Sequence, residues 1–356
     1  MTTRILSIDG GGIRGIIPGQ ILVHLEQFLR EQSGNAELKI ADCFDMIAGT
    51  STGGILTCVY LLPDTSRGGG APRPKFNAQQ AVDLYLNYGD DIFTVPLFKR
   101  ISSLGGLADE KYPATELEKT LSQYMGDVAL SQLVKDCAIT AYDIAERAVV
   151  VFNSRDNRSG KNPAKDFYVR DVARATSAAP TYFTPANIVA FDRSVHPLID
   201  GGVFANNPSL CAYAELTTSE KGLSDVALLS IGTGGVEKAY SYSEAKDWGG
   251  LGWVKPIIDI TLSGVADAVD YQLQKLYKAA GASAQYVRIT PALGPQTSPD
   301  MDNATIANMR HLKEDGDTAY GANLAQLEAF AKTYLLPGLT PTTLVSGRRE
   351  LANGTV

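Results

Sequence analysis

Two apolar runs in the first fifty residues each end in a glycine-rich turn, and each is followed by a helical pattern. The first is Arg4–Asp9, with Ile-Leu-Ser-Ile at its centre, running into Gly10-Gly11-Gly12-Ile13-Arg14-Gly15. The second is Phe44–Ala48, running into Gly49-Thr50-Ser51-Thr52-Gly53. Strand followed by helix, twice in succession, buries both elements only when the strands lie parallel and the helices cover the sheet faces. The order therefore predicts an α/β fold with a mostly parallel central sheet between two helical layers.

The rest of the chain is read in that frame. From Pro18 to Glu31, the residues Ile21, Leu22, Leu25, Phe28 and Leu29 fall on one helical face, with Pro18 in the first turn and Gly34 just past the end. Gly54–Leu62 reads as an apolar helix, and Ala81–Tyr88, Ala114–Tyr124 and Val169–Ala178 as further helices. Cys137–Tyr142, Ala148–Phe152, His196–Ile199, Val226–Ile231 and Tyr286–Thr290 read as strands. The stretch 64–76 and the polar stretch Asn153–Lys165 read as loops. Ile258, Leu262, Val265, Val269, Leu273 and Leu276 mark one long amphipathic helix. There is no internal repeat and no linker, so one domain over 1–335 is expected, with a polar tail over 336–356.

Hydrophobic residues make up 44% of the 356, enough for a full core, and the net charge is −7. An acidic chain without a basic surplus argues against binding a nucleic-acid polymer. No signal segment precedes the first glycine turn and no apolar run is long enough to span a bilayer. Cys43, Cys58, Cys137 and Cys211 are scattered without CxxC spacing and read as buried thiols of a cytosolic protein. With only His24, His196 and His311 beside them, no metal site and no cofactor is expected.

Gly49-x-Ser51-x-Gly53 has the form of a nucleophile elbow. A serine on a strand-to-helix turn this tight needs glycine two residues before and after it, where a Cβ would strike backbone. The N–H of Thr52 then points toward an oxyanion, with the helix dipole behind it. The string alone is weak evidence in a chain with 34 glycines, and an ordinary turn is the plain alternative. Gly10-x-Gly12-x-x-Gly15 carries three readings. It matches the dinucleotide fingerprint, but the acidic residue expected at the end of a second strand is missing, since Glu26 and Glu31 lie in a helix. It can be a structural turn. It can also present the N–H groups of Gly10, Gly11 and Gly12 to one anionic oxygen. Arg14 either contacts a phosphate or holds the loop through an ion pair.

A serine nucleophile needs a base. His24 lies beside an apolar stripe and reads as structural; His311 follows in a polar stretch; His196 sits four residues before Asp200. Asp200 ends a short apolar run and precedes Gly201-Gly202. Asp-Gly-Gly is a turn signal, and it also puts a carboxylate at a strand end. At an ordinary pKa of about 3.9 that carboxylate is a weak base, so the role calls for desolvation.

With these residues in view, the sequence resembles the patatin-like phospholipase family. Asp9–Gly15 is similar to its oxyanion loop, Gly49–Gly53 to its nucleophile elbow, Ala175–Phe183 to its central segment, and Asp200-Gly201-Gly202 to its Asp-Gly-Gly/Ala. Leu229–Gly234 is similar to its later strand and turn. The resemblance implies a three-layer α/β/α patatin-like fold and hydrolysis of fatty-acyl esters of membrane phospholipids. It further implies a Ser51–Asp200 dyad, Gly10, Gly11, Gly12 and Thr52 around the oxyanion, no metal, and transient contact with a phospholipid membrane surface from the cytoplasmic side. The run Asp200–Pro208 resembles bacterial members, some of which are anti-phage effectors switched on by a cyclic nucleotide. A cyclic dinucleotide activator is thus one expected setting; a housekeeping lipid hydrolase or a non-catalytic storage protein on the same fold are the others. Trp248 and Trp253 flank a Gly-rich stretch ahead of the long helix, where core anchoring is expected ahead of an interfacial lid. The sequence sets no oligomeric state.

Overall fold

The computed structural model describes residues 2–66, 71–92, 112–159, 165–216, 222–235 and 240–339, with only the backbone described at 251, 254 and 255. The strands are β1 (Thr3–Ile8), β2 (Met46–Thr50), β3 (Asp136–Asp143), β4 (Ala148–Asn153), β5 (Ala186–Val189), β6 (Val195–Asp200), β7 (Val226–Ile231) and β8 (Tyr286–Ile289). The helices used below are α1 (Ile16–Ser33), α2 (Thr52–Leu61), α3 (Ala78–Ile92), α4 (Thr115–Met125), α5 (Val169–Thr176), α6 (Gly202–Ala205), α7 (Ser209–Leu216), α8 (Gly249–Ala279) and α9 (Ile306–Ala322).

One sheet runs in the order β5-β6-β3-β2-β1-β7-β8, with β4 also paired to β3. β3, β2, β1, β7 and β8 run parallel to one another, whereas β4 and β6 join β3 antiparallel and β5 joins β6 antiparallel. Side chains of the central strands alternate between two apolar layers. Leu6, Ile8, Leu229 and Ile231 face one layer with α1 and α2; Ile5, Val226 and Leu228 face the other with Ala212 and Leu216 of α7 and Leu273 and Tyr277 of α8. That is the three-layer α/β/α arrangement. β1 is buried on both faces, the mark of a central parallel strand. α1 stops where expected, at Gly34 in the left-handed region with φ 67°.

Several elements depart from the sequence reading. A short helix, Ser154–Arg158, occupies the start of the expected loop, because the Asn153 side chain accepts the Arg155 N–H at 2.8 Å and caps it. The sequence reading holds neither β5, a strand of four residues, nor α7. α9 went unrecognised because its residues are mostly polar and only Met309, Leu312 and Ala319 reach the core. The two tryptophans lie on no flexible loop and in no core. Trp248 caps α8, Trp253 belongs to its first turns and is 41% exposed, and the rings meet edge-on at 4.8 Å. The expected core anchoring fails since the first half of α8 stands off the sheet. Cys43, Cys58, Cys137 and Cys211 are all free thiols. From residue 340 on, the expected tail lies outside the described residues.

Candidate active site

β3 is the template that brings the site together. Thr140 pairs with Thr50 of β2 on one side and with Val151 of β4 on the other. The next residue, Ala141, pairs with Asp200 of β6 and with Val150 of β4. β2 and β6 therefore share one edge of β3, running in opposite directions, and their last residues stand next to each other. Ser51 leaves the end of β2 where Asp200 closes β6. The hydroxyls of Thr50 and Thr140 are 2.7 Å apart, and Thr50 donates to the Ala205 carbonyl at 2.6 Å, which ties the two strand ends together.

Ser51 has φ 56° and ψ −122°, a conformation costly for a residue with a Cβ. The elbow glycines explain how the turn closes: a Cβ on Gly49 would lie 2.1 Å from the Gly53 carbonyl oxygen, and one on Gly53 would lie 2.1 Å from the Ile8 oxygen. The Ser51 N–H donates to the Thr176 hydroxyl at 2.9 Å, so the turn is braced from α5. Tyr85 of α3 braces the other side through the Thr52 hydroxyl, at 2.6 Å.

Asp200 is buried, 5% exposed. Loss of solvation pushes its carboxyl up to about 7, opposed by the nearby Ser51 hydroxyl and by the Gly202 N–H. The Gly202 N–H lies 2.7 Å from Oδ1. Gly201 must be glycine, because its Cβ would fall 2.1 Å from the Thr140 hydroxyl. No histidine lines the cavity that holds these groups. His24 Nε2 lies 2.6 Å from Asp317, with its ring stacked on Tyr320. His196 bridges Asp143 at 3.3 Å and Ser194 at 2.9 Å on the β5–β6 hairpin. His311 lies on α9.

In the glycine loop the N–H groups have different fates. Gly10 donates to the Asn206 carbonyl at 3.1 Å, so the sequence expectation that it faces an oxyanion is corrected: its only N–H is engaged. Gly11, Gly12 and Thr52 donate to no group among the described residues. Gly12 has φ 59°, and a Cβ there would fall 2.1 Å from the Met301 oxygen. The Gly10 carbonyl accepts the Thr233 hydroxyl at 2.7 Å. Arg14 is buried, and its Nε reaches the Gly11 carbonyl at 3.5 Å. Burial lowers its pKa, against the pull of Asp259. Arg14 is absent from the residues that line the cavity.

Sequence reasoning missed the group beneath this loop. Arg288 of β8 grips Asp9 with two bonds, 2.8 and 2.5 Å, and reaches the Ser230 hydroxyl at 2.8 Å. Desolvation works against the guanidinium, but the Asp9 carboxylate outweighs it and holds Arg288 above its ordinary range. The signal was a lone charge in the otherwise apolar run Tyr-Val-Arg-Ile. Arg288→Leu leaves a buried, unpaired carboxylate under the glycine loop. A loss of about 3–5 kcal/mol is expected, measured by urea unfolding, and a loss below 1 kcal/mol would remove the pair from the account of the loop.

Ser51, Asp200, Gly11, Gly12 and Thr52 form one end of a cavity of about 310 Å³. Its walls are apolar, with Leu84 and Ile92 from α3 and Leu117 and Leu121 from α4. A hydroxyl beside a desolvated carboxylate, unengaged N–H groups and an acyl-sized apolar space together suit attack on a carbonyl carrying a hydrocarbon chain. No cluster of metal-ligating side chains exists among the described residues, and no helix among them is long and apolar enough to cross a membrane.

Comparison with known proteins agrees with this geometry. The family model described as Patatin-like phospholipase matches residues 6–212, more than half of the chain. Patatin-like protein 2 of Arabidopsis thaliana is 36% identical over 343 residues, covering 88% of this chain and 81% of that protein. Patatin-like protein 1 of the same plant is 33% identical, covering 93% and 84%. Patatin group J-1 of Solanum tuberosum is 33% identical, covering 88% and 82%. Among solved structures, VipD from Legionella pneumophila aligns at 11% identity and a TM-score of 0.36, over 89% of this chain and 67% of that one, a likeness too weak to carry a conclusion. The similarity extends through the elbow and the buried carboxylate, and the chain belongs to the patatin-like phospholipase family of lipid acyl hydrolases.

Proposed function

We propose that this protein cleaves fatty-acyl esters of membrane phospholipids through a Ser51–Asp200 dyad. The observation that carries this reading is that Ser51 and the buried Asp200, whose carboxyl burial raises to about 7, stand at adjoining strand ends and line one cavity. An ordinary carboxylate is too weak a base for a serine; near pH 7 this one is partly ionised and much better matched. Asp200 takes the hydroxyl proton as Ser51 attacks the ester carbonyl, and the N–H groups of Gly11, Gly12 and Thr52 hold the oxyanion. The alcohol leaves with the proton from Asp200. Water, deprotonated by Asp200, then releases the fatty acid and restores Ser51. The acyl chain lies along the Leu84–Leu121 wall during both steps.

The test is release of fatty acid from phospholipid vesicles by the wild type, Ser51→Ala and Asp200→Asn, each with and without cyclic dinucleotides. Release by the wild type alone supports the dyad. Release that requires a cyclic dinucleotide places the enzyme with the gated anti-phage effectors; release without one describes a constitutive hydrolase working peripherally on the inner leaflet. No release under any condition, from phospholipid or from a soluble ester, would leave a storage or binding role.

A further inference from the structure

The first half of α8 is unlike the second. From Leu273 on, the helix buries side chains against the sheet, but between 249 and 262 no described residue is fully buried. Ile258, Thr261 and Leu262 look into the catalytic cavity. Leu262 comes so close to the turn after Asp200 that a Cβ on Gly202 would lie 2.7 Å from its Cδ2. On the outward side, Trp253, Ile257 and Ile260 are 41%, 49% and 40% exposed. Their spacing of four and three residues puts them on one helical face. Ile257 belongs to both surfaces, lining the cavity and facing solvent, so the apolar face is continuous with the cavity mouth.

A continuous apolar face on the outside of a monomer marks contact with something. Its charge says what kind. The stretch 246–262 holds two lysines and two aspartates, so it carries no net charge. Lys246 and Asp247 lie 3.8 Å apart, and Asp259 accepts the Tyr240 hydroxyl at 3.2 Å. Tyr240, Trp248 and Trp253 form an edge-on aromatic cluster at the head of the helix, with centroids 5.0 and 4.8 Å apart. Neutral, aromatic-headed and apolar on one side, the segment suits the boundary between headgroups and acyl chains of an uncharged lipid surface better than an anionic one.

We propose that the Trp253–Ile257–Ile260 face of α8 docks on a zwitterionic phospholipid bilayer and seats the cavity mouth against the lipid. The proposal rests on the lipid-hydrolase reading for its choice of partner, but its test does not require hydrolysis. Both tryptophans of the chain lie in this segment, so intrinsic fluorescence reports on this surface alone. Phosphatidylcholine vesicles are titrated into the Ser51→Ala protein, which leaves the lipid intact. The emission is expected to shift to the blue, to be quenched by brominated acyl chains, and to give a partition constant indifferent to salt. Ile260→Asp, which lies outside the cavity lining, is expected to lower that constant at least about tenfold. The same change, made in the wild-type background, leaves hydrolysis of a short soluble ester unaltered. Val149→Asp, on the exposed edge at β4, serves as the control and should leave partition unchanged.

Absence of a shift, or equal partition by Ile260→Asp, overturns the proposal, as does loss of partition in Val149→Asp alone. An emission shift that depends on protein concentration without vesicles also overturns it, in favour of a second copy covering the face. Vesicle binding without hydrolysis by the wild type would sink the hydrolase reading and leave the docking surface standing; hydrolysis without docking would do the reverse.

Discussion

Ser51→Ala is expected to lower kcat on a fatty-acyl ester by about 10⁴–10⁶-fold while leaving the protein folded, because in the proposed mechanism the change removes the only atom that bonds to the acyl group. KM for a soluble ester should stay within a few-fold, since the apolar cavity and the N–H groups of Gly11 and Gly12 remain. The elbow adds an independent readout. With φ at 56°, position 51 is strained for any residue with a Cβ. Ser51→Gly should be about 1 kcal/mol more stable than Ser51→Ala by urea unfolding, equally inactive. Hydrolysis that survives in both variants would remove Ser51 from the chemistry. A stability order opposite to this one would mean that the elbow stores no strain.

Asp200→Asn is expected to cost about 10³–10⁴ in kcat and to change the pH dependence of both activity and stability. In the wild type, kcat/KM for a neutral ester should rise about tenfold per pH unit below the Asp200 pKa of about 7 and then level off. The linkage to folding has the opposite sense from that of a salt-bridged carboxylate. Asp200 titrates near 7 in the folded chain and near 3.8 in the unfolded chain. Between those values the native state holds the proton that the unfolded state has lost, so stability falls as pH rises through the window. The contribution amounts to about 4 kcal/mol over the whole window. Asp200→Asn keeps an acceptor for the Gly202 N–H without the charge, so it should be more stable than the wild type at pH 8, by about 2–4 kcal/mol, and nearly equal to it at pH 4. Calorimetry at the two pH values measures this, and a wild type whose stability stays flat between them would place the carboxylate in solvent. Full activity of His311→Ala completes the argument, and its loss would return the base to a histidine.

Much of this was legible because it rests on local stereochemistry. Glycine at 49 is demanded by a contact of about two ångströms with the Gly53 oxygen within the turn itself, so half of the elbow can be read from a few residues in a row, whereas glycine at 53 answers to the Ile8 oxygen of β1. The strand–turn–helix order forces a parallel sheet, since no other arrangement buries both elements. Asp200 stood out as a carboxylate between an apolar run and two glycines. The roles of neighbouring glycines were less legible. Gly10, Gly11 and Gly12 look alike in sequence, and only the position of the Asn206 carbonyl, nearly two hundred residues away, separates the first from the other two.

What the sequence by itself determined is therefore the set of chemical parts: a serine on a tight glycine-flanked turn, a glycine-rich loop, a carboxylate at a strand end, and the α/β frame. The tertiary structure decided which parts meet. β2 and β6 share an edge of β3 and stop against it at Thr140 and Ala141, and that register alone sets the Asp200 carboxyl beside Ser51 and away from water. It also paired Asp9 with Arg288 and lifted the first half of α8 off the sheet. Burial and register are sums over contacts between distant segments, and no window of adjacent residues contains them.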